Sequence, residues 1–92
     1  MKIGNGIKNA RKLSGISQRE LSNRSRLSIT YISEIENGKK DPSIAALRAI
    51  ASAIKMELPF MVLLSMEETD IDEENRKAFT ALKRIIENKL RA

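Results

Sequence analysis

The sequence contains no cysteine, no histidine and no tryptophan, and only three of its 92 residues are aromatic. Without cysteine the chain forms neither a disulfide nor a thiolate metal site. Without histidine it lacks the commonest metal ligand and the usual general base of enzymes. The acids at 70–74 are typical of a helix N-terminus and not of a metal site. We therefore expect no metal ion, no cofactor and no enzymatic activity.

Long apolar runs are also missing. The longest, 58–64, is far shorter than the roughly 20 residues of a membrane-spanning helix. The first six residues lack the apolar segment of a secretory signal. We therefore expect a cytoplasmic protein with no membrane partner. Because so short a chain buries only about 60–65% of its unfolded surface, it forms one small domain that uses its apolar residues sparingly or shares a core with a second copy.

Positive charge is concentrated in the first part of the chain. Residues 1–56 contain eleven basic and four acidic residues, a net charge of +7, whereas residues 57–92 contain six basic and eight acidic residues, a net charge of −2. A basic body with a mildly acidic tail favours a polyanion-binding region followed by a segment with another role. A solvated surface with surplus lysine is the alternative that composition leaves open.

Turn residues and apolar spacing predict six helices and no strand, and therefore an all-α protein. Gly15 is placed to end the first helix. Ser17 and Glu20 form a capping box at the start of the second, and Ser28 is a good N-cap for the third. The predicted helices cover residues 3–14, 17–24, 28–36, 42–54, 59–65 and 70 to near the C-terminus.

The last three predicted helices differ in their apolar faces. The fifth is apolar almost all round, so more than one surface must cover it. The sixth is predicted to begin at Asp70 with an acidic first turn and to end with a basic turn. The buried side of the fourth is expected to contain Ile44, Leu47, Ile50, Ala51 and Ile54. The apolar stripe of the sixth contains Ile71, Ala78, Phe79, Leu82, Ile85, Ile86 and Leu90.

The segment 18–37 consists of two short predicted helices separated by a polar break. Two such helices pack closely at a large angle, which needs a small residue at their crossing, and Ser22 is placed there. A corner of this kind projects its second helix outward, where it fits the major groove of DNA. The third helix is expected to bury Ile35 and either Tyr31 or Ile32, and the buried aliphatic residues of the corner are expected to be Leu21, Leu27, Ile32 and Ile35.

Three stretches in order carry a family resemblance. They read Ile3-Gly4-x-x-Ile7-x-x-x-Arg11-x-x-x-Gly15-Ile16-Ser17-Gln18-x-Glu20-Leu21, then Ser28-x-x-Tyr31-Ile32-Ser33-x-Ile35-Glu36-Asn37-Gly38 with Lys39, Lys40, Pro42 and Ser43, then Leu47, Ile50 and Ala51. Together they resemble the lambda-repressor-like, xenobiotic-response-element (Cro) type of helix-turn-helix domain over residues 3–64. The resemblance implies a compact five-helix DNA-binding domain. We place it at residues 1–66, with 67–92 as a linker and a C-terminal amphipathic helix for dimerisation.

Side chains exposed at the N-terminal part of the recognition helix are the candidates for reading base edges. The resemblance implies that Ile29, Thr30 and Glu34 occupy base-reading positions. Ile29 suits a thymine methyl, Thr30 suits a methyl or a hydrogen bond, and Glu34 suits the amino group of cytosine. A solvated helix residue is the alternative for Glu34. The full set of base-contacting candidates is Ser28, Ile29, Thr30, Ser33 and Glu34.

A second group of residues is expected to contact phosphates. Gln18 lies in the first turn of a helix, where free amides favour a phosphate, and the resemblance implies the same contact. Arg26 replaces the glycine that the family often has in the turn. Either it takes a positive φ at a cost of roughly 1 kcal/mol, or the turn differs. The phosphate candidates are Ser17, Gln18, Arg26, Tyr31, Asn37, Lys39 and Lys40, with a solvated loop as the alternative for the lysines.

Two further sets of residues are given structural roles. The resemblance implies that Arg11 pairs with Glu36 and joins the first helix to the end of the third. A dimer is expected because one recognition helix reads few base pairs, and two half-sites lie about 34 Å apart on DNA. The alternative is a C-terminal helix that folds back on its own domain. The dimer candidates are Phe60, Leu63, Leu64, Phe79, Leu82 and Ile86.

These observations predict a transcriptional regulator that binds double-stranded DNA. We expect a repressor that binds a palindromic operator through the major groove as a homodimer, with no small-molecule ligand. The alternative is an antitoxin, a protein that neutralises a partner protein and also regulates its own operon.

Overall fold

The computed structural model describes residues 2–91, so residues 1 and 92, the outer limits of the two expected segments, lie outside the described part. The described chain is helical, with no strand among its residues. None of these helices is long and apolar enough to cross a membrane. The elements are α1 (Ile3–Leu13), α2 (Gln18–Ser25), α3 (Ile29–Glu36), α4 (Ile44–Ile54), α5 (Leu58–Ser65), two 3₁₀ turns (Glu68–Asp70 and Glu73–Asn75) and α6 (Arg76–Arg91).

Serine side chains begin three of these helices. Ser17, Ser28 and Ser43 each accept, through Oγ, the backbone N–H of the residue three positions later at 3.0 Å. Each cap satisfies one of the amides that a helix N-terminus leaves unpaired. The second contact of the predicted capping box, from the Glu20 carboxylate back to the N-cap at Ser17, is wrong. The Glu20 carboxylate instead accepts a hydrogen bond from Arg24 Nη2 at 2.6 Å.

One core joins all six helices, and its central side chains come from the predicted apolar faces. The prediction for Ile44 is wrong, since this residue is 62% exposed. The buried face of α4 is centred near Ile50, and at 3.6 residues per turn Ile44 lies about 120° around the helix from Ile50. The buried cluster contains Ile7, Ala10, Ile16, Leu21, Ile32, Ile35, Leu47, Ile50, Ala51, Ala53, Ile54, Met61, Leu64 and Ile86.

Two glycines let α1 approach its neighbours closely. A Cβ atom added to Gly4 would collide with the carbonyl oxygen of Ile35, near the end of α3. A Cβ added to Gly6 would lie 2.7 Å from Cα of Ser65, at the end of α5. Real Cβ atoms do not come this close to another backbone, so α1 fixes the position of α3 relative to α5 only because these residues are glycine.

The sixth helix begins at Arg76, six residues later than predicted. Asp70 instead closes a 3₁₀ turn, because its Oδ2 accepts the Glu67 N–H at 2.8 Å. This hydrogen bond holds the pKa of Asp70 below its usual value. Arg76 Nε donates to the carbonyl oxygens of Glu68 and Ile71, at 3.1 Å each. The acids therefore precede α6 and do not form its first turn.

The C-terminal helix lies against its own domain. Helix α6 packs on α1 and α5, and its Phe79 and Ile86 are buried. Lys83 Nζ donates to the carbonyl oxygen of Met66 at 3.1 Å and lies 5.6 Å from the centre of the Phe79 ring. In the single chain, the arrangement is thus the fold-back alternative of the sequence analysis.

Candidate nucleic-acid interface

Helices α2 and α3 form the corner that the sequence predicts. Leu21 of α2 and Ile32 of α3 are fully buried. The Ser22 hydroxyl donates to the carbonyl oxygen of Leu27 at 2.5 Å, which joins α2 to the residue before the α3 cap. A small hydroxyl side chain at this position therefore closes the turn and leaves room for the second helix.

Arg26 keeps the left-handed turn that glycine usually supplies. Its φ is 62° and its ψ is 20°, and its N–H donates to the Ser22 carbonyl at 2.8 Å. Of the two alternatives, the structure shows the first: the turn geometry is retained, and a non-glycine residue adopts it at a cost of roughly 1 kcal/mol. The Arg26 side chain is exposed, so its charge is available at the turn between the two helices.

The first residues of α3 are exposed to solvent. Ser28, Ile29 and Thr30 are exposed, whereas Ser33 and Glu34 are partly buried. The Ser28 oxygen already accepts the cap hydrogen bond, which leaves its hydroxyl hydrogen for a further contact. The opposite face of α3 is buried through Ile32 and Ile35. This helix therefore has one face packed in the core and one face accessible to solvent.

Glu34 is held at the C-terminal side of this outer face. Its Oε2 lies 3.5 Å from Lys40 Nζ. Its main-chain oxygen accepts the backbone N–H groups of Lys39 at 2.8 Å and Lys40 at 3.3 Å. The loop after α3 therefore folds back onto Glu34, one of the residues expected from the sequence to contact bases.

Beneath the corner lies an ion pair between Arg11 and Glu36, the two residues for which the family resemblance implies pairing. Arg11 Nε lies 2.8 Å from Glu36 Oε2, and Nη2 lies 3.0 Å from Oε1. Arg11 Nη1 also donates to the Ile16 carbonyl at 2.9 Å. The two side chains are only 10% and 1% exposed. This bidentate pair joins α1 to the last residue of α3 and fixes the orientation of the recognition helix.

Gln18 is one expected phosphate contact whose side chain has an internal partner. Its Nε2 donates to Glu36 Oε1 at 3.1 Å. Since an amide nitrogen carries two hydrogens, the second remains compatible with a phosphate. Sequence reasoning missed this internal contact, because positions 18 and 36 become neighbours only after α2 and α3 have packed.

The other expected phosphate contacts are close to the ends of α2 and α3. Ser17 caps α2, and Tyr31 is half-buried with its Oη 3.4 Å from the Ser43 nitrogen, as an acceptor of that N–H. Asn37 Nδ2 donates to Ser33 Oγ at 3.4 Å. The side chains of the two loop lysines are exposed. Within residues 2–91, no cluster of three or more acids, cysteines or histidines is placed to hold a metal ion.

The residues expected at a dimer interface fall into two groups. Leu64, Phe79 and Ile86 are buried inside the single chain. By contrast, Phe60 is 48% and Leu82 is 51% exposed. The remaining member, Leu63, is partly buried.

A wide groove of about 1080 Å³ lies beside the exposed members, between the α4–α5 junction and α6. Its walls include Phe60, Leu63, Leu82 and Ile85, and Ile85 is 57% exposed. Ile85 belongs to the apolar stripe predicted for α6 but not to the residues expected at the interface. Its spacing of three from Leu82 was the signal for the exposed edge of that stripe.

Comparison with known proteins gives the family. The Helix-turn-helix family model matches residues 7–60. The chain is 34% identical over 79 residues to the transcriptional regulator ClgR of Mycobacterium tuberculosis (strain CDC 1551 / Oshkosh), covering 86% of this chain and 70% of ClgR. No solved structure gives a significant match.

Two proteins of Bacillus phage phi105 are also similar. The immunity repressor protein is 35% identical over 74 residues, covering 80% of this chain but only 49% of the repressor. The ImmF control region 10 kDa protein is 38% identical over 73 residues, covering 79% of this chain and 78% of the phage protein. The chain belongs to the helix-turn-helix family of DNA-binding transcriptional regulators.

Proposed function

We propose that this protein is a cytoplasmic repressor that binds a palindromic operator as a homodimer, with α3 in the major groove. The observation that carries this proposal is the exposed N-terminal end of α3 on a helix whose other face is buried. An α-helix fits the major groove, and the first residues of a recognition helix are the ones that reach base edges. The names of the relatives, a transcriptional regulator and an immunity repressor, support the regulatory role.

Three side chains of α3 supply chemistry that differs between bases. The Ile29 side chain is apolar and exposed, which suits the methyl group of thymine. Thr30 combines a methyl group with a hydroxyl. The Glu34 carboxylate only accepts hydrogen bonds, so in the major groove it favours the amino group of cytosine over the O6 and N7 acceptors of guanine.

Phosphate contacts on both sides of α3 position this helix without reading sequence. Arg26 lies in the turn before α3, and Lys39 lies in the loop after it, both exposed. Ser17 and Gln18 lie at the N-terminus of α2, where free backbone amides and the helix dipole favour an anion. This arrangement predicts binding that weakens steeply as salt rises, because each neutralised phosphate releases counterions.

The groove between the α4–α5 junction and α6 is the proposed dimer surface. The described chain has five large apolar side chains with substantial exposure, and three of them, Phe60, Leu82 and Ile85, line this groove. Such a concentration marks a protein interface. The groove also contains Glu57 and Lys89. A two-fold axis makes each copy present the same patch, so the acid of one copy can face the base of the other.

Selection of bound duplexes from a random pool, at two salt concentrations, tests the proposed function. The expected result is an inverted repeat whose half-site centres lie about one helical turn, roughly 34 Å, apart. Affinity for it should fall steeply as the salt concentration rises. Recovery of no common sequence at low salt would contradict specific DNA binding. Recovery of a single half-site without a repeat would contradict the homodimer.

The dimer surface is tested separately by light scattering of the full chain. Leu82→Glu places a charge in the groove and is expected to give a monomer at concentrations where the wild type is a dimer. Ile44→Glu is the matched control, since Ile44 is even more exposed than Leu82 but does not line the groove. A wild-type monomer at all accessible concentrations would contradict the proposed homodimer.

A further inference from the structure

The two adjacent lysines of the loop after α3 have different surroundings. Lys40 Nζ lies 3.5 Å from Glu34 Oε2. Among residues 2–91, the ion pair of Glu34 is with Lys40 and not with Lys39. From sequence alone, both lysines are expected to contact phosphates. The structure separates them, because only one is coupled to a base-reading candidate.

The backbone maintains this coupling. Both lysine N–H groups donate to the main-chain oxygen of Glu34, and Gly38 takes the left-handed conformation, with φ at 75°, that turns the chain back. The loop is therefore fastened to the residue whose side chain Lys40 contacts. Lys40 contacts Oε2 of Glu34. The other carboxylate oxygen, Oε1, can therefore accept a hydrogen bond from a base.

A carboxylate that enters the major groove approaches two rows of phosphates, and like charges repel. An ammonium 3.5 Å from the carboxylate offsets that repulsion and favours the Glu34 rotamers that keep the two charges close. We propose that Lys40 is a specificity-determining positioning residue, which holds Glu34 in the orientation that accepts from the amino group of cytosine. This inference rests on the proposed function and assigns the two lysines different tasks: Lys39 adds affinity for any DNA, whereas Lys40 acts through Glu34 on one base pair.

The test compares Lys40→Met with Lys39→Met in random-pool selection and in titrations with single-base variants of the selected duplex. Methionine keeps the unbranched side chain and removes the charge. For Lys40→Met we expect the preference for cytosine at one position of each half-site to fall about tenfold, the scale of one direct base contact. Lys39→Met should weaken binding to all duplexes alike and leave every preference unchanged.

Three further variants make the result specific to positioning. Glu34→Gln should lose the preference for cytosine at the same position. The double variant Glu34→Gln with Lys40→Met should discriminate between bases no less than Glu34→Gln alone, as expected for two residues that act together. Lys40→Arg should restore the preference. Circular dichroism and thermal melting should show each variant folded, because Glu34, Lys39 and Lys40 are all accessible to solvent.

The outcomes separate this inference from the proposed function. If the wild type selects no sequence, the proposed function fails and the inference fails with it. If the wild type selects a sequence but Glu34→Gln alters no position, or if Lys40→Met behaves like Lys39→Met, only the inference is overturned. Loss of the cytosine preference in Lys40→Met, with its return in Lys40→Arg, supports the inference.

Discussion

Removal of Arg11 tests how the recognition helix is held in place. In Arg11→Met, the Glu36 carboxylate loses two hydrogen bonds of 2.8 and 3.0 Å and retains only the one from Gln18, at 3.1 Å. Because the Glu36 side chain is 1% exposed, water cannot replace the lost donors. Removing one partner of a buried pair costs about 3–5 kcal/mol.

This loss is large for so small a protein, whose total free energy of unfolding is about 5–15 kcal/mol. Urea denaturation followed by circular dichroism measures it as a lower midpoint with an unchanged slope. The double variant Arg11→Met with Glu36→Met should recover a large part of the loss, because no charge then remains buried without a partner.

The exposed pair of Arg24 with Glu20 provides the matched control. Its Nη2 to Oε1 distance is 2.6 Å, but the side chains are 43% and 46% exposed. Arg24→Met should therefore cost only about 0.5–1 kcal/mol, including the hydrogen bond to the Ala53 carbonyl. A loss below about 1 kcal/mol in Arg11→Met, or equal losses in the two variants, would refute the argument that the Arg11 pair is buried and holds α3.

Three further predictions concern the turn, the α1 packing and the dimer. Arg26→Gly relieves the left-handed strain and should raise the free energy of unfolding by about 0.5–1 kcal/mol. The affinity of this variant for DNA, measured by filter binding, should fall. An unchanged affinity would exclude a phosphate contact by Arg26. Gly4→Ala should lower the urea midpoint by an amount equivalent to about 1–3 kcal/mol, because the alanine Cβ would clash with the Ile35 carbonyl oxygen. An unchanged midpoint would contradict the close packing of α1 on α3. In analytical ultracentrifugation, Leu82→Glu should sediment as a monomer and bind the operator more weakly than Ile44→Glu, and equal sedimentation of the two would remove the groove from the interface.

Much of this fold follows from local signals in the sequence. The serine caps at 17, 28 and 43 and the positive φ of Gly15 and Gly38 lie where the sequence predicts helix ends. These features depend on a few neighbouring residues, so a single sequence contains them in full. The apolar spacing of α1 to α3 was equally informative, because those helices each bury one continuous face.

The features that the sequence analysis missed depend on contacts between distant residues. Gln18 donates to Glu36 only because α2 crosses α3. Two 3₁₀ turns precede α6, and Arg76 Nε donates back to the carbonyl oxygens of Glu68 and Ile71, whereas the acids alone suggested a helix N-terminus at Asp70. The sequence also does not show which residues of the apolar α6 stripe become buried in the single chain. Phe79 is buried, whereas Ile85 is exposed.

The proposed function requires that the exposed end of α3 reads bases. The most direct measurement is the ratio of affinities for the selected duplex and a scrambled one, for the wild type and for Ile29→Ala combined with Thr30→Ala. The wild-type ratio should be about 10³ or more. The double variant should reduce this ratio by tenfold or more, on the scale of two lost base contacts, with its affinity for scrambled DNA unchanged. An unchanged ratio, or an equal loss on both duplexes, would contradict the claim.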